Sequence, residues 1–163
     1  MKTFSLCVAA LVAVVTLTSV AAARPDAAKQ RVVNMKIYPQ KTFVLTPQQA
    51  GSLKSDSGTI RSNWLSIPGR KVMRDGQEVT IYDGAVTTLT GKRGTLTIRD
   101  RNEWVDLARD GNGDGEDDGI GIGTWKVTRG TGQYAGIVGK GRMAHVGLGS
   151  PWYARYEGLL SLP

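Results

Sequence analysis

Ten residues, DGNGDGEDDG from 110 to 119, place five acids and four glycines in one short stretch of a chain whose net charge is +7. Asp110, Asn112 and Asp114 occupy positions 1, 3 and 5 of a D-x-[DN]-x-[DN]-G calcium loop, with Gly115 at the sharp turn in position 6 and Asp118 at position 9. Oxygens on alternate residues can curl around one hard cation, and Glu116 offers its backbone carbonyl at position 7. The pattern is truncated: Gly121 stands at position 12, where an EF-hand has its bidentate glutamate, and no flanking helices are evident. The same residues also read as a hairpin tip, because Asn112-Gly113 and Asp114-Gly115 are turn dipeptides and repelling carboxylates stay in water. Two outcomes stand open: a weak calcium site built from Asp110, Asn112, Asp114, Glu116 and Asp118, or a solvated turn.

Proton-transfer chemistry has fewer candidates. His145 is the only histidine and would alternate with Met143 and Gly147 on one face of a strand. No G-x-S-x-G elbow supplies a serine nucleophile for it, so a structural histidine is the plain alternative. Asp100 and Asn102 share a strand face with Leu96, Ile98 and Trp104, and they join His145 as weak catalytic candidates. The string GTGQYAG, Gly130 to Gly136, has the wrong glycine spacing for a dinucleotide loop and no strand-helix-strand context. It reads instead as a tight connection with glycines at positive φ, anchored by Tyr134. No nucleotide cofactor is expected.

The compartment decides which residues remain to do chemistry. Lys2, the apolar run from Leu6 to Val20 and the small residues Ala21-Ala22-Ala23 before Arg24 have the form of a secretory signal peptide over residues 1–23. The run is too short for a membrane span and no other segment could serve as one. Cleavage after Ala23 removes Cys7, the only cysteine, so the secreted protein has neither disulfide nor thiol chemistry and relies on its core. The boundaries expected are a flexible mature N-terminus at residues 24–40 and one domain at residues 41–163.

Losing Lys2 leaves 20 bases against 14 acids, a net +6. Eight of those acids fall within residues 100–118, so an acidic lobe sits on a basic body. A basic body attracts anionic surfaces. The bases are scattered and no aromatic-interleaved basic motif appears, which speaks against specific nucleic-acid binding.

The elements that must position these residues read as strands. Gln77–Gly91, Gly94–Leu107, Gly123–Gly130, Gly139–Gly149 and Trp152–Leu162 are rich in Thr, Val, Ile and aromatic residues and are broken by Gly and Asp-Gly, as is the stretch from Ser57 to Gly69. Only Thr46–Lys54 hints at a helical turn. The pattern is that of an all-β sandwich or barrel. Along Gly94–Val105 the face of Leu96 and Ile98 continues into Asp100, Asn102 and Trp104, which suits a strand running from a packed barrel interior to a polar mouth. A β-bulge near Asp100 would explain the same mixture.

The string GTWKVTRGTGQYAGIVGKGR, Gly123 to Arg142, resembles the C-terminal signature of small secreted proteins grouped with the allene oxide cyclase barrel-like and dirigent-like families. GTLTIRDRNEWVD and ARYEGLLSLP are similar to segments of uncharacterised exported bacterial members. The resemblance implies an antiparallel eight-stranded β-barrel with a GTG-containing segment between two late strands. Plant enzymes of that superfamily cyclise or couple small apolar substrates inside the barrel, but no motif here carries their catalytic positions onto this chain. The expectation is therefore an exported, non-catalytic barrel that binds a small apolar ligand or an anionic surface component and carries a weak calcium loop. The alternative is a barrel enzyme of the cyclase or isomerase type, using Asp100, Asn102 and His145.

Overall fold

The computed structural model describes residues 30–38, 41–48, 52–111, 113, 115, 118–147 and 152–163. The expected signal peptide at residues 1–23 lies outside them. Nine strands follow one another: β1 (Gln30–Tyr38), β2 (Thr42–Pro47), β3 (Asp56–Ser62), β4 (Arg70–Arg74), β5 (Gln77–Gly91), β6 (Gly94–Asp106), β7 (Gly119–Gly130), β8 (Val138–Gly147) and β9 (Trp152–Ser161). Every pairing is antiparallel, and the ring β3-β2-β1-β9-β8-β7-β6-β5 closes through β3 and β5. This is the expected eight-stranded barrel, and closure removes the sheet edges of the ring that would otherwise template aggregation, leaving the outer side of β4 as an edge.

β4 stands outside the ring as a hairpin on the first half of β5. Asp75 and Gly76 both take positive φ (49° and 80°), the requirement of a two-residue type I′ turn. Two short 3₁₀ turns, Trp64–Ser66 and Gly132–Tyr134, complete the described elements. Among the described residues there is no α-helix, and none therefore long and apolar enough to cross a membrane.

Two expectations are corrected. Residues 30–38, placed in a flexible terminus, form β1, which pairs with β2 on one side and β9 on the other. Val33, Met35 and Ile37 alternate inward along it and are buried, so the domain begins at least at Gln30 rather than at residue 41. The helical turn expected over Thr46–Lys54 does not start at Pro47, because Thr46 and Pro47 end β2, paired with Asn34 and Val33; residues 49–51 lie outside the described residues.

The end of the barrel where β6 begins is packed solid. Phe43, Leu45, Leu96, Ile98 and Leu160 fill it, each stabilising the fold by about 1.5–3 kcal/mol. The Trp125 indole lies across the bare backbone of β9, where a Cβ on Gly158 would come within 2.6 Å of its Cζ2. Tyr134, wholly buried on the turn after β7, closes the end by donating its hydroxyl to Asp56 Oδ2 at 3.1 Å. Asp56 also accepts the backbone N–H groups of Lys92 and Arg93 in the β5–β6 turn, at 3.0 and 3.2 Å. Gly132 and Gly136 take φ of 59° and 71° on either side of Tyr134, the tight connection read from GTGQYAG.

Candidate functional site

β6 carries the change from core to site. Leu96 and Ile98 are followed inward by Asp100 and Asn102, both buried, and then by Trp104, partly buried at the open end. The mouth reading of this face therefore holds. Pairing also slips by one residue opposite Asp100, where β5 bulges at Gly84 (φ 90°), and again between Thr97 and Ile98 against β7. The bulges lie on the neighbours of β6, where they increase local twist and re-aim side chains around Asp100.

Three strands bring Asn102 and His145 together. β7 faces the lumen here with glycines alone, and a Cβ on Gly121 would lie 1.8 Å from His145 Nε2 and 2.8 Å from Asn102 Oδ1. Across that gap Asn102 Nδ2 and His145 Nε2 are 2.8 Å apart. With the amide donating, Nε2 is the acceptor and the ring proton sits on Nδ1. Burial holds the His145 pKa down at about 4, so the ring is neutral at physiological pH.

Aromatic rings wall this pair. Trp104 meets His145 edge-on at 4.9 Å between centroids, Trp64 stands 6.1 Å from His145, and Tyr82 meets Trp64 edge-on at 5.7 Å. Trp64 comes from the 3₁₀ turn after β3, which places it over the mouth rather than in the wall. Deeper, the Ser62 and Thr87 hydroxyls are 2.9 Å apart and Thr87 donates to Asp100 Oδ2 at 3.3 Å. Burial pushes Asp100 up to about 6, partly offset by the Thr87 hydrogen bond. Burial, and then the nearby Asp100 charge, push the Tyr156 phenol far above its ordinary range.

Between these groups is a cavity of about 20 Å³, lined by Thr87, Asp100, Asn102, Met143, His145 and Tyr156 among others. That is room for about one water. Asn102 is 4% exposed and its Oδ1 has no hydrogen-bond partner. An unmet buried acceptor costs about 1–3 kcal/mol.

The structure thus gathers the three lumen candidates, Asp100, Asn102 and His145, in one chamber. His145 meets Asn102 while Asp100 meets Thr87, so the two are not joined as an imidazole–carboxylate dyad. Trp64, Tyr82, Thr87 and Tyr156 complete the chamber. The acidic stretch forms the β6–β7 connection at the same end of the barrel. Asp110 accepts the N–H groups of Gly113 and Gly115 at 2.6 and 2.8 Å, and both glycines have positive φ. Asp118 is buried; its Oδ2 accepts the Gly111 N–H and lies 3.8 Å from Arg109 Nε, while Oδ1 has no hydrogen-bond partner. Asn112, Asp114 and Glu116 lie outside the described residues, and among those described no three His, Cys, Asp or Glu side chains cluster to hold a metal.

Comparison of the chain with family models, with curated proteins and with solved structures found no match.

Proposed function

We propose that this chain is an exported binding barrel without catalytic activity, and that its mouth takes a small, flat, mainly apolar molecule bearing one hydrogen-bond donor. The observation that carries this reading is the unmet Asn102 Oδ1, buried beneath Trp64 and Trp104 at the polar end of an otherwise packed lumen. A donor on the ligand would satisfy that oxygen while the rings take its apolar faces. The cavity holds about one water, so entry requires the Trp64 ring to swing outward on its 3₁₀ turn. Kinship with the allene oxide cyclase barrel-like and dirigent-like proteins belongs to the same reading, as does export directed by residues 1–23. N-terminal sequencing of secreted protein should begin at Arg24.

Against catalysis stands the arrangement of the polar groups. His145 is spent on Asn102, Asp100 on Thr87, and no nucleophile, base and orienting group line up in sequence. One observation favours the enzyme alternative: Asp100, held at about 6 beside the cavity, is suited to proton transfer near neutrality. In a cyclase or isomerase Asp100 would move the proton while Asn102 and His145 orient the substrate. Asp100→Asn would then abolish turnover with the fold intact.

Indole and benzofuran test the binding reading, since they share shape and differ in that only indole has an N–H donor. Calorimetry should show indole bound about tenfold or more tightly than benzofuran, because a site built around a donor rejects the analogue lacking it. Asn102→Leu should erase that preference, and Trp64→Ala should weaken both. No binding of either compound, or binding indifferent to Trp64 and Asn102, sinks the reading.

The loop at 110–119 enters as a weak calcium site. Support comes from the buried Asp118 Oδ1 without a hydrogen-bond partner and from Asp110 folded over the loop backbone. Calcium would neutralise the loop carboxylates and stiffen the rim.

A further inference from the structure

The outer wall formed by β6, β7, β8 and β9 departs from an ordinary solvated face. In β7 the glycines point inward, so Ile120 and Ile122 point out, and Ile122 is 66% exposed. Register lays the outward side chains in rows across the four strands. Nearest the mouth runs Val105, Ile120, Val146, Tyr153; next Glu103, Ile122, Ala144, Arg155; then Arg101, Thr124, Arg142, Glu157. Long charged chains on β6 and β9 stand on either side of Ile122, Thr124 and Ala144, with Arg142 as the long charged chain that β8 adds to the row nearest the middle of the strands, forming a trough of about 590 Å³.

These rows are complementary to themselves. A two-fold axis parallel to the strands, between β7 and β8, sets β6 of one copy against β9 of the other with each row facing its own row. Glu103 then faces Arg155 of the second copy and Arg101 faces Glu157, each pair occurring twice. Ile120 faces Val146, Val105 faces Tyr153, and Ile122 faces Ala144. Each flanking strand already holds an ion pair, Arg101 with Glu103 at 3.1 Å and Arg155 with Glu157, so bringing the copies together makes a checkerboard of these four charges along each flank, while Arg142, next to Glu157 of its own copy, faces Thr124 of the other. An axis across the strands would instead set the apolar row against cationic Arg99, Lys126 and Lys140.

We propose that this wall is a homodimer interface, with β6 of each copy against β9 of the other and both mouths opening at the same end. The occupant is a second copy because the charge order on β6 is reversed on β9, the condition for an isologous contact. Four strands by three rows cover roughly 20 Å by 20 Å, or about 400 Å² of footprint per copy. That is below the roughly 800 Å² per partner of a standard interface, so the dimer is weak, dissociating on the order of 100 µM. Lys126 and Lys140 would meet their own kind in the next row, which confines the contact to the mouth side.

Sedimentation of protein secreted from cells expressing the full chain tests this directly. The parent should pass from monomer to dimer between about 10 µM and 1 mM. Exchanging the β9 pair (Arg155→Glu with Glu157→Arg) preserves its ion pair and net charge but sets like charges across the interface, and should weaken association at least about tenfold. Exchanging β6 as well (Arg101→Glu, Glu103→Arg, and Arg74→Glu, because Arg74 also pairs with Glu103 at 2.9 Å) should restore it. Ile122→Lys, at an outward position, should abolish it while leaving the melting temperature of the monomer unchanged. A parent that stays monomeric to 1 mM, forms a trimer, or dimerises equally well with only β9 exchanged overturns the proposal.

Discussion

Replacing Asp100 with Asn should stabilise the protein in a way that depends on pH. Asp100 is 6% exposed, has one hydrogen-bond donor in Thr87, and is pushed from 3.8 to about 6 by burial. Its folded pKa lies above its unfolded one, so its contribution to stability is fully present below about 3.8 and is lost as pH rises through about 6. A shift of about two units corresponds to about 3 kcal/mol at 1.36 kcal/mol per unit. The stability advantage of Asp100→Asn over the parent should therefore grow by about 2.5 kcal/mol between pH 4 and pH 8, the unfolded carboxyl being already partly ionised at pH 4. The His145 contribution runs the other way, present above 6.5 and lost as pH falls towards 4, but both proteins carry it and it cancels in the difference. Urea unfolding at pH 4, 6 and 8, followed by tryptophan fluorescence, gives the difference directly. Melting temperatures should separate by roughly 10 °C at pH 8. An advantage independent of pH, or greatest in acid, would refute the claim that Asp100 is a buried carboxylate under strain.

Gly158→Ala should cost about 1–3 kcal/mol, because its Cβ would meet Trp125 Cζ2 at 2.6 Å and the Lys140 carbonyl at 2.3 Å; thermal melting reads the loss. Tyr134→Phe should cost about 1–3 kcal/mol, since it removes a donor from buried Asp56 at the closed end, and hydrogen exchange in the β5–β6 turn should quicken with it. Calcium at about 10 mM, tenfold above a weak extracellular Kd, should add about 1.4 kcal/mol and a few degrees of melting temperature. Asp110→Asn with Asp114→Asn should remove that shift, and an unchanged melting point in the parent would leave the loop a solvated turn.

Where the hydrophobic pattern alternates as a half-buried strand must, the sequence alone was enough. β5 and β6 were read nearly to their ends, and the inward face of β6 from Leu96 to Trp104 was legible because both core and mouth lie on one period-two stripe. The first part of β7 was not, because GIGIG inverts the rule: its glycines face inward to make room for Trp104, His145 and Asn102, and its isoleucines face out. β1 alternates cleanly at Val33, Met35 and Ile37, yet it follows the polar RPDAAKQ stretch and was grouped with that terminus. Trp64 lay within a segment read as strand, whereas β3 ends at Ser62 and the chain turns over the mouth. The Asn102–His145 contact depends on the register of three strands, which local pattern does not encode.

Because His145 is the only histidine, its imidazole resonance reports from the mouth alone. Following that resonance by NMR while indole is added tests the central claim, that the chamber of Asn102, His145, Trp64 and Trp104 is the binding site. A saturable ring-current shift, absent in Trp64→Ala and weaker with benzofuran, is the predicted result. An imidazole resonance that stays fixed while calorimetry records indole binding would place the ligand elsewhere and contradict the account.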